Sequence, residues 1–171
     1  MLSRIILSVE TSSTICSTAI LENGEILSCV EEFCPREHIE KLPGLVKKAF
    51  DKSNKTVNDV DAIAVSIGPG SFTGLRVGCS VAQGLALGLE KKILPISSLK
   101  ILAQNIFLSD PLQDLYIVQE AHMNDLYLGS FQRKKNDLAF SKEKDISIKK
   151  TSLKDLISPD CEEIICTNCQ D

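Results

Sequence analysis

The sequence predicts an α/β protein whose first part is a mixed five-stranded sheet with helices packed against it. Apolar runs of strand length fill the first 33 residues, and two of them flank an Asn-Gly turn. Apolar residues at helical spacing follow, and two further short apolar runs then alternate with helical segments. The predicted order is βββαβαβα, and the right-handed crossover rule restricts the ways in which these strands connect.

The first three strands form an antiparallel trio. Residues 5–9 are a short apolar run of the kind found in buried strands, and residues 16–21 form the second strand. Asn23 and Gly24 suit the positive φ angles of a tight hairpin turn, so residues 26–33 are the return strand.

Helices and strands alternate after Pro35. Residues 38–53 show helical spacing, although Pro43-Gly44 inside them predicts a kink or a split. Residues 62–67 are a buried strand, a helix runs from about 73 to 90, and residues 93–96 are the fifth strand. Ser97 or Ser98 caps a helix that runs to about residue 108.

A domain boundary is predicted at Asp110-Pro111. It separates an N-terminal lobe over residues 1–108 from a C-terminal lobe over residues 109–171, which is small for an independent core. In that lobe the apolar runs 115–118, 126–131 and 163–166 predict strands, and residues 133–150 are charged and less periodic. Thr151 or Ser152 caps a short predicted helix that ends at Ile157.

The composition argues against several classes of protein. The 171 residues include 19 basic and 23 acidic side chains, and this net charge of −4 disfavours a broad basic surface for nucleic acid. The uncharged runs are too short to cross a bilayer, and the first apolar run is too short for a signal peptide. Seven cysteines, an odd number, predict free thiols in a cytoplasmic protein.

A glycine-rich stretch between residues 67 and 90 holds six of the nine glycines. A glycine inside a helix costs about 1 kcal/mol relative to alanine, so another gain must compensate. One interpretation is a loop that holds a phosphate, but the lysine of a P-loop and the third glycine of a Rossmann turn are absent. The other is a smooth helix face, because Gly74, Gly78 and Ala82 are spaced four apart and let another backbone approach.

Metal chemistry has little support in the sequence. His38 has Leu42 four residues later, where a helical metal site needs a second histidine, and the only other histidine is His122. Cys166 and Cys169, with Cys161 nearby, form a single CxxC, which is a weak zinc signal and fits a solvated tail better.

Three segments together resemble the bacterial TsaB (YeaZ) family, whose members are partners in making threonylcarbamoyladenosine in tRNA. The segments are ILSVETSSTICSTAIL, CPREHIEKLPGLV and IAVSIGPGSFTGLRVGCSVAQGLALGL. The resemblance covers residues 4 to about 108 and weakens through VQEAHMNDLYLGSF. Family chains usually continue well past the length seen here, so the second lobe is expected to be shortened.

The resemblance implies an actin-like ATPase fold, similar to that of sugar kinases, with two ribonuclease-H-like lobes. It implies a non-catalytic cytoplasmic subunit that binds and activates a TsaD-type catalytic subunit, for modification of tRNA at position 37. A TsaE-type ATPase completes the implied assembly, and tRNA is reached only through the complex. Family members use their first two helices to pair with TsaD or with themselves, so a homodimer of the isolated chain is the alternative to the complex with TsaD. The catalytic relative carries a His-x-x-x-His metal site, and this chain has Leu42 at the second position.

The resemblance also implies that the first two helices form the partner interface. The expected interface residues are His38, Leu42, Leu45, Val46, Ala49, Gly74, Val77, Gly78, Val81, Ala82 and Leu85. A remnant of a phosphate-binding loop is expected at Glu10, Thr11, Ser12, Gly68, Gly70 and Ser71. No resident cofactor is expected, because Glu10 replaces the usual aspartate. The alternative is a vestigial ATP site in a nucleotide-dependent transferase or hydrolase that uses Glu10 and the Gly68–Gly74 loop.

Overall fold

A computed structural model describes residues 4–109, 114–121, 125–134, 137–149 and 163–167 of the chain. The chain divides into two compact units, Met1–Ser97 and Ser98–Asp171, and each is described separately below.

The first unit is a five-stranded mixed sheet with the strand order β3-β2-β1-β4-β5. The strands β1, β2 and β3 pair antiparallel, whereas β4 and β5 extend the sheet in parallel from β1. The element order βββαβαβ of this unit is the predicted one. Its elements are β1 Ile5–Glu10, β2 Ile15–Glu22, β3 Glu25–Phe33, α1 His38–Ser53, a 3₁₀ turn Val57–Asp59, β4 Ala62–Ser66, α2 Phe72–Leu89 and β5 Lys92–Ile96.

The hairpin between β2 and β3 turns at Asn23 and Gly24. Their φ angles are 54° and 90°, so both residues occupy the left-handed region that the Asn-Gly pair was predicted to supply. The strands β2 and β3 then pair along their whole length, with one irregularity beside Ile20. The turn therefore fixes the register of the antiparallel half of the sheet.

Helices α1 and α2 lie side by side on one face of this sheet. Helix α1 packs on β2 and β3, helix α2 packs on β4, β1 and β5, and the two helices contact each other. Alternate residues of β1, namely Ile5, Leu7 and Val9, are buried beneath them. Leu42 of α1 and Ala82 of α2 belong to the same apolar core as these strand residues. The core of the unit thus lies between the sheet and the two helices.

Helix α1 continues through Pro43, so the predicted split at Pro43-Gly44 is wrong. A proline inside a helix costs about 3 kcal/mol. Burial of Leu42 and Leu45 opposes this cost, since each fully buried leucine contributes about 1.5–3 kcal/mol. The hydroxyl of Ser28 on β3 also donates a 2.7 Å hydrogen bond to the Ala49 carbonyl and ties the helix to the sheet.

The second unit contains α3 Ser98–Ser109, β6 Asp114–Glu120, β7 Asp125–Lys134, β8 Asp137–Lys149 and β9 Glu163–Thr167. Its strand order is β8-β7-β6-β9, with antiparallel pairing through β6, β7 and β8 and parallel pairing of β6 with β9. This repeats the pairing of β3, β2, β1 and β4 in the first unit. The second sheet therefore has the topology of the first without its last strand in the described residues.

Two features of the second unit differ from the prediction. Residues 137–149 form the edge strand β8, because pairing with β7 organises a segment whose sequence has no clear periodicity. Helix α3, predicted to belong to the lobe over residues 1–108, groups with the second unit. Its buried residues Leu99 and Phe107 pack with Leu115 of β6. The predicted helix over 151–157 lies outside the described residues, as does Asp110-Pro111.

None of the helices in the described residues combines the length and apolarity needed to cross a membrane.

We predict that Leu45→Ala lowers the free energy of unfolding by about 2–5 kcal/mol, because Leu45 is 2% exposed and its removal leaves a cavity. The matched control is Leu87→Ala in α2, where the side chain is 83% exposed. This control should change stability by less than about 0.5 kcal/mol. Urea unfolding of both variants measures the difference, and equal effects would contradict the burial of this face of α1.

Candidate functional site

The glycine-rich loop before α2 lies directly against the turn that follows β1. The backbone N–H of Ser71 donates a 2.6 Å hydrogen bond to the carbonyl of Ser12. A Cβ atom added to Gly70 would overlap the same carbonyl. Only a residue without a side chain permits this approach, so Gly70 is required for the loop to dock on the turn.

Two glycines of α2 extend this close approach along the helix. A Cβ atom at Gly74 would overlap the Thr11 carbonyl, and one at Gly78 would overlap the Thr11 hydroxyl. The side chain of Thr11 is fully buried, and its hydroxyl has no hydrogen-bond partner among the described residues. Gly74 and Gly78, which we call the glycine seam, therefore pack against Thr11 in the turn of the same chain. The proposal that another chain approaches Gly74, Gly78 and Ala82 is wrong, because the three residues are buried within this unit.

The carboxylate of Glu10 is also engaged by its neighbours. Its Oε1 atom accepts a 2.6 Å hydrogen bond from the Ser12 N–H and a 2.8 Å bond from the Ser66 hydroxyl. The Ser71 hydroxyl accepts a 3.2 Å bond from the Gly74 N–H and so caps α2. The Glu10 carboxylate thus connects the end of β1 with the end of β4, and the Ser71 cap stabilises the start of α2.

The structure brings the predicted phosphate-loop residues together, but they form hydrogen bonds and close contacts with one another. Glu10, Thr11 and Ser12 follow β1, and they meet Gly70 and Ser71 as described above. Gly68 leaves β4 with a φ of 98°, which suits glycine. An incoming phosphate needs free N–H groups at the helix start, and those of Ser71 and Gly74 are already bonded.

His38 lies at the first position of α1 with its side chain buried. Its Nε2 atom has no hydrogen-bond partner in the described part of the chain, and Leu42 one turn later is fully buried. Within the described residues, no three His, Cys, Asp or Glu side chains come close enough to hold a metal ion. His122, Cys161 and Cys169 lie outside the described residues, and Cys166 lies in β9.

The described cysteines of the first unit are free thiols: Cys16, Cys29, Cys34 and Cys79. Burial, together with a smaller contribution from the neighbouring Cys34, raises the pKa of Cys16 to about 12. Cys16 is therefore a protonated core residue at neutral pH, with little nucleophilic character.

Most of the predicted interface residues are buried by the chain itself. His38, Leu42 and Ala49 of α1 face the sheet, and helix α2 buries its glycine seam against Thr11. The buried set is His38, Leu42, Leu45, Val46, Ala49, Gly74, Gly78 and Ala82. These residues offer no surface to a partner. Val77, Val81 and Leu85 remain partly exposed, although they also pack against the core.

An open hollow of about 370 Å³ lies between the two helices on their outer side. We call it the α1–α2 groove, and its lining residues are Ile39, Arg76, Val77, Ser80 and Val81. Ile39 is 70% exposed, a large fraction for an apolar side chain. Ile39 was not among the predicted interface residues. Its position fits the apolar stripe of the helix, and this spacing alone does not show that the side chain points away from the core.

Comparison with known proteins identifies the family. A family model described as "TsaD: tRNA N6-adenosine threonylcarbamoyltransferase" matches residues 29–156. The protein named tRNA threonylcarbamoyladenosine biosynthesis protein TsaB from Escherichia coli (strain K12) is 33% identical over 144 residues, covering 84% of this chain and 62% of that relative. The TsaB protein of Buchnera aphidicola subsp. Schizaphis graminum (strain Sg) is 35% identical over 147 residues, covering 86% of this chain and 69% of that relative.

A solved structure agrees with these relatives. A Pseudomonas aeruginosa protein, described as similar to peptidase YeaZ, superposes with a TM-score of 0.78 at 32% sequence identity. The match covers 85% of this chain and 67% of that chain. The chain belongs to the TsaB (YeaZ) family.

Membership of the TsaB family confirms the resemblance inferred from the three sequence segments. The sheets and helices described above confirm the predicted α/β class. The chain spans 62% of the length of the E. coli TsaB relative. Its activity and partners are therefore argued below from the groove and the loop of this chain.

We predict that Gly78→Ala destabilises the fold by about 1–3 kcal/mol, because the added methyl group overlaps the Thr11 hydroxyl. In the double variant with Thr11→Ala most of this loss should disappear, since the overlapping atom is gone. Gly84→Ala is the control, because open space surrounds Gly84 and the substitution should stabilise α2 by up to about 1 kcal/mol. Thermal unfolding of the wild type, Thr11→Ala, Gly78→Ala and the double variant measures the coupling, with Gly84→Ala as the fifth protein. Additive effects of the two substitutions would contradict the contact.

Proposed function

We propose that this chain is a non-catalytic subunit that binds and activates a TsaD-type catalytic subunit in the synthesis of threonylcarbamoyladenosine in tRNA. The observation that carries the proposal is the α1–α2 groove, an apolar hollow on the outer side of two helices whose inner sides are already packed. The relatives named tRNA threonylcarbamoyladenosine biosynthesis protein TsaB support the same process. The family model described as a threonylcarbamoyltransferase supports the choice of partner.

The groove suits a protein rather than a small polar ligand. Ile39, Val77 and Val81 give it apolar walls, and it is open to the surface along the helices. Exposed apolar patches of this kind mark interaction sites in folded proteins. A stable complex centred here would bury about 1,600 Å² in total, which requires surface beyond the groove itself. The exposed Phe72 at the start of α2 is a natural extension of that surface.

Catalysis in this chain lacks the groups it would need. Leu42 stands where the catalytic relative is expected to have its second metal-binding histidine, and its side chain is buried in the core. The Oε1 atom of Glu10 accepts hydrogen bonds from Ser12 and Ser66 and so has a structural role in the turn after β1. In the proposal a TsaE-type ATPase and tRNA therefore meet this chain through the TsaD-type subunit, in the cytoplasm. When the TsaD-type subunit is absent, a second copy of the chain would bind the same groove.

Blocking the groove should abolish the complex without unfolding the chain. Ser80 lines the groove and is exposed, so Ser80→Arg fills the hollow and disturbs no core contact. We expect at least a tenfold rise in Kd for the TsaD-type subunit, or about 1.4 kcal/mol, with an unchanged melting temperature. Val81→Arg should weaken binding as well, but with a lower melting temperature, because Val81 also packs against the core.

The control for both substitutions is Leu87→Arg, which adds the same side chain to the same helix at a position that does not line the groove. Titration calorimetry with the purified TsaD-type subunit measures the three affinities. Wild-type affinity in Ser80→Arg and Val81→Arg would refute the groove as the binding surface.

The rival function is a nucleotide-dependent transferase or hydrolase that uses Glu10 and the Gly68–Gly74 loop. The N–H of Ser71 and the carboxylate of Glu10 are already hydrogen bonded within the chain, so a phosphate would have to displace them. We expect no heat of binding when ATP and Mg²⁺ are titrated into the isolated chain at micromolar concentrations. Micromolar binding that Glu10→Gln removes would favour the rival.

A further inference from the structure

We propose that Arg76, stacked on the ring of Phe72, is the specificity-determining cation of the α1–α2 groove and receives a carboxylate from the TsaD-type partner. This inference rests on the proposed function. It specifies the chemical group that the partner must place at the groove in addition to apolar side chains.

The first observation is the orientation of the guanidinium group. The Cζ atom of Arg76 lies 3.9 Å from the centroid of the Phe72 ring, one helical turn earlier in α2. Such a stack uses the flat face of the guanidinium, and its N–H groups point outward around the edge. The ring therefore holds the side chain in place and leaves its donors for an external acceptor. Phe72 is itself 68% exposed, so the pair stands at the surface.

The second observation is that the described part of the chain supplies no anion for this cation. Arg76 makes no ion pair with any carboxylate of the described residues. Nearby on the same face of the sheet, Lys41 of α1 is paired with Glu32 of β3 at 2.6 Å. That hydrogen bond lowers the pKa of Glu32 and raises the pKa of Lys41, which shows that the fold forms such pairs where it has the partners.

The third observation is the position of Arg76 in the wall of an apolar hollow. It shares the lining with Ile39, Val77 and Val81. A partner that fills the hollow must cover the guanidinium and remove part of its water. A charge that loses water without gaining a partner is strongly destabilising, so the complex needs an acceptor at this point. A carboxylate matches the planar fork of arginine with two parallel hydrogen bonds, and so an Asp or Glu of the partner is the group that fits.

The test compares affinities for the TsaD-type subunit at low and high salt. The variants are Arg76→Gln, which removes the charge, Arg76→Lys, which keeps the charge but loses the planar fork, and Phe72→Leu, which removes the ring. Both positions are exposed, so the three variants should fold. Lys47→Gln is the matched control, since it removes an exposed cation of α1 that does not line the groove.

We expect Arg76→Gln to raise Kd at least tenfold in low salt, with Arg76→Lys and Phe72→Leu intermediate and Lys47→Gln within about twofold of wild type. Added salt should weaken the wild-type complex more than the Arg76→Gln complex, because only the former contains the ion pair.

Three outcomes would overturn the inference. If Arg76→Gln binds within twofold of wild type while Ser80→Arg does not bind, the groove is the interface but Arg76 does not determine specificity. If Arg76→Gln weakens binding but retains the wild-type salt dependence, the acceptor is a neutral group and the carboxylate is wrong. If the wild-type chain does not bind the TsaD-type subunit, the proposed function fails and this inference fails with it.

Discussion

The contact between the turn after β1 and the first half of α2 determines how the first unit is built. Thr11 and Ser12 lie so close to the helix that a side chain at position 70, 74 or 78 would overlap them. The glycines thus set the distance between α2 and the end of β1. The hydrogen bond from Ser71 to Ser12 and the two bonds to the Glu10 carboxylate hold the same junction. The cost of glycine in a helix is offset by this packing.

This junction assigns different roles to the two sides of α2. The inner side, with Gly74, Gly78 and Ala82, belongs to the fold, and the Gly74 N–H at the start of the helix is bonded to the Ser71 hydroxyl. The outer side, with Val77 and Val81, faces the hollow beside α1. The glycine-rich loop therefore works here as a structural joint, and the groove on the outer side is lined mainly by apolar side chains. That division is the physical basis for the proposed binding role.

The sequence predicts the topology of the first unit because its signals are local. Asn23-Gly24 specifies a hairpin, and short apolar runs specify buried strands. The contact partner of the glycine seam is not predictable in this way. Small residues in a helix indicate that another segment packs closely there, but they do not identify that segment. Ile39 was missed for a related reason, because helical spacing alone does not separate the core face from its margin. Strand β8 depends on pairing with β7, a long-range contact without a local signal.

The central claim is that the partner meets the outer side of α1 and α2 and not the loop at the end of β1. Hydrogen–deuterium exchange of the wild-type chain, with and without the TsaD-type subunit, tests it most directly. The account predicts that protection increases around Ile39 and from Arg76 to Val81, and that residues 10–13 and 68–71 keep the exchange of the free chain. Protection of residues 10–13 and 68–71, with unchanged exchange along the groove, would contradict it.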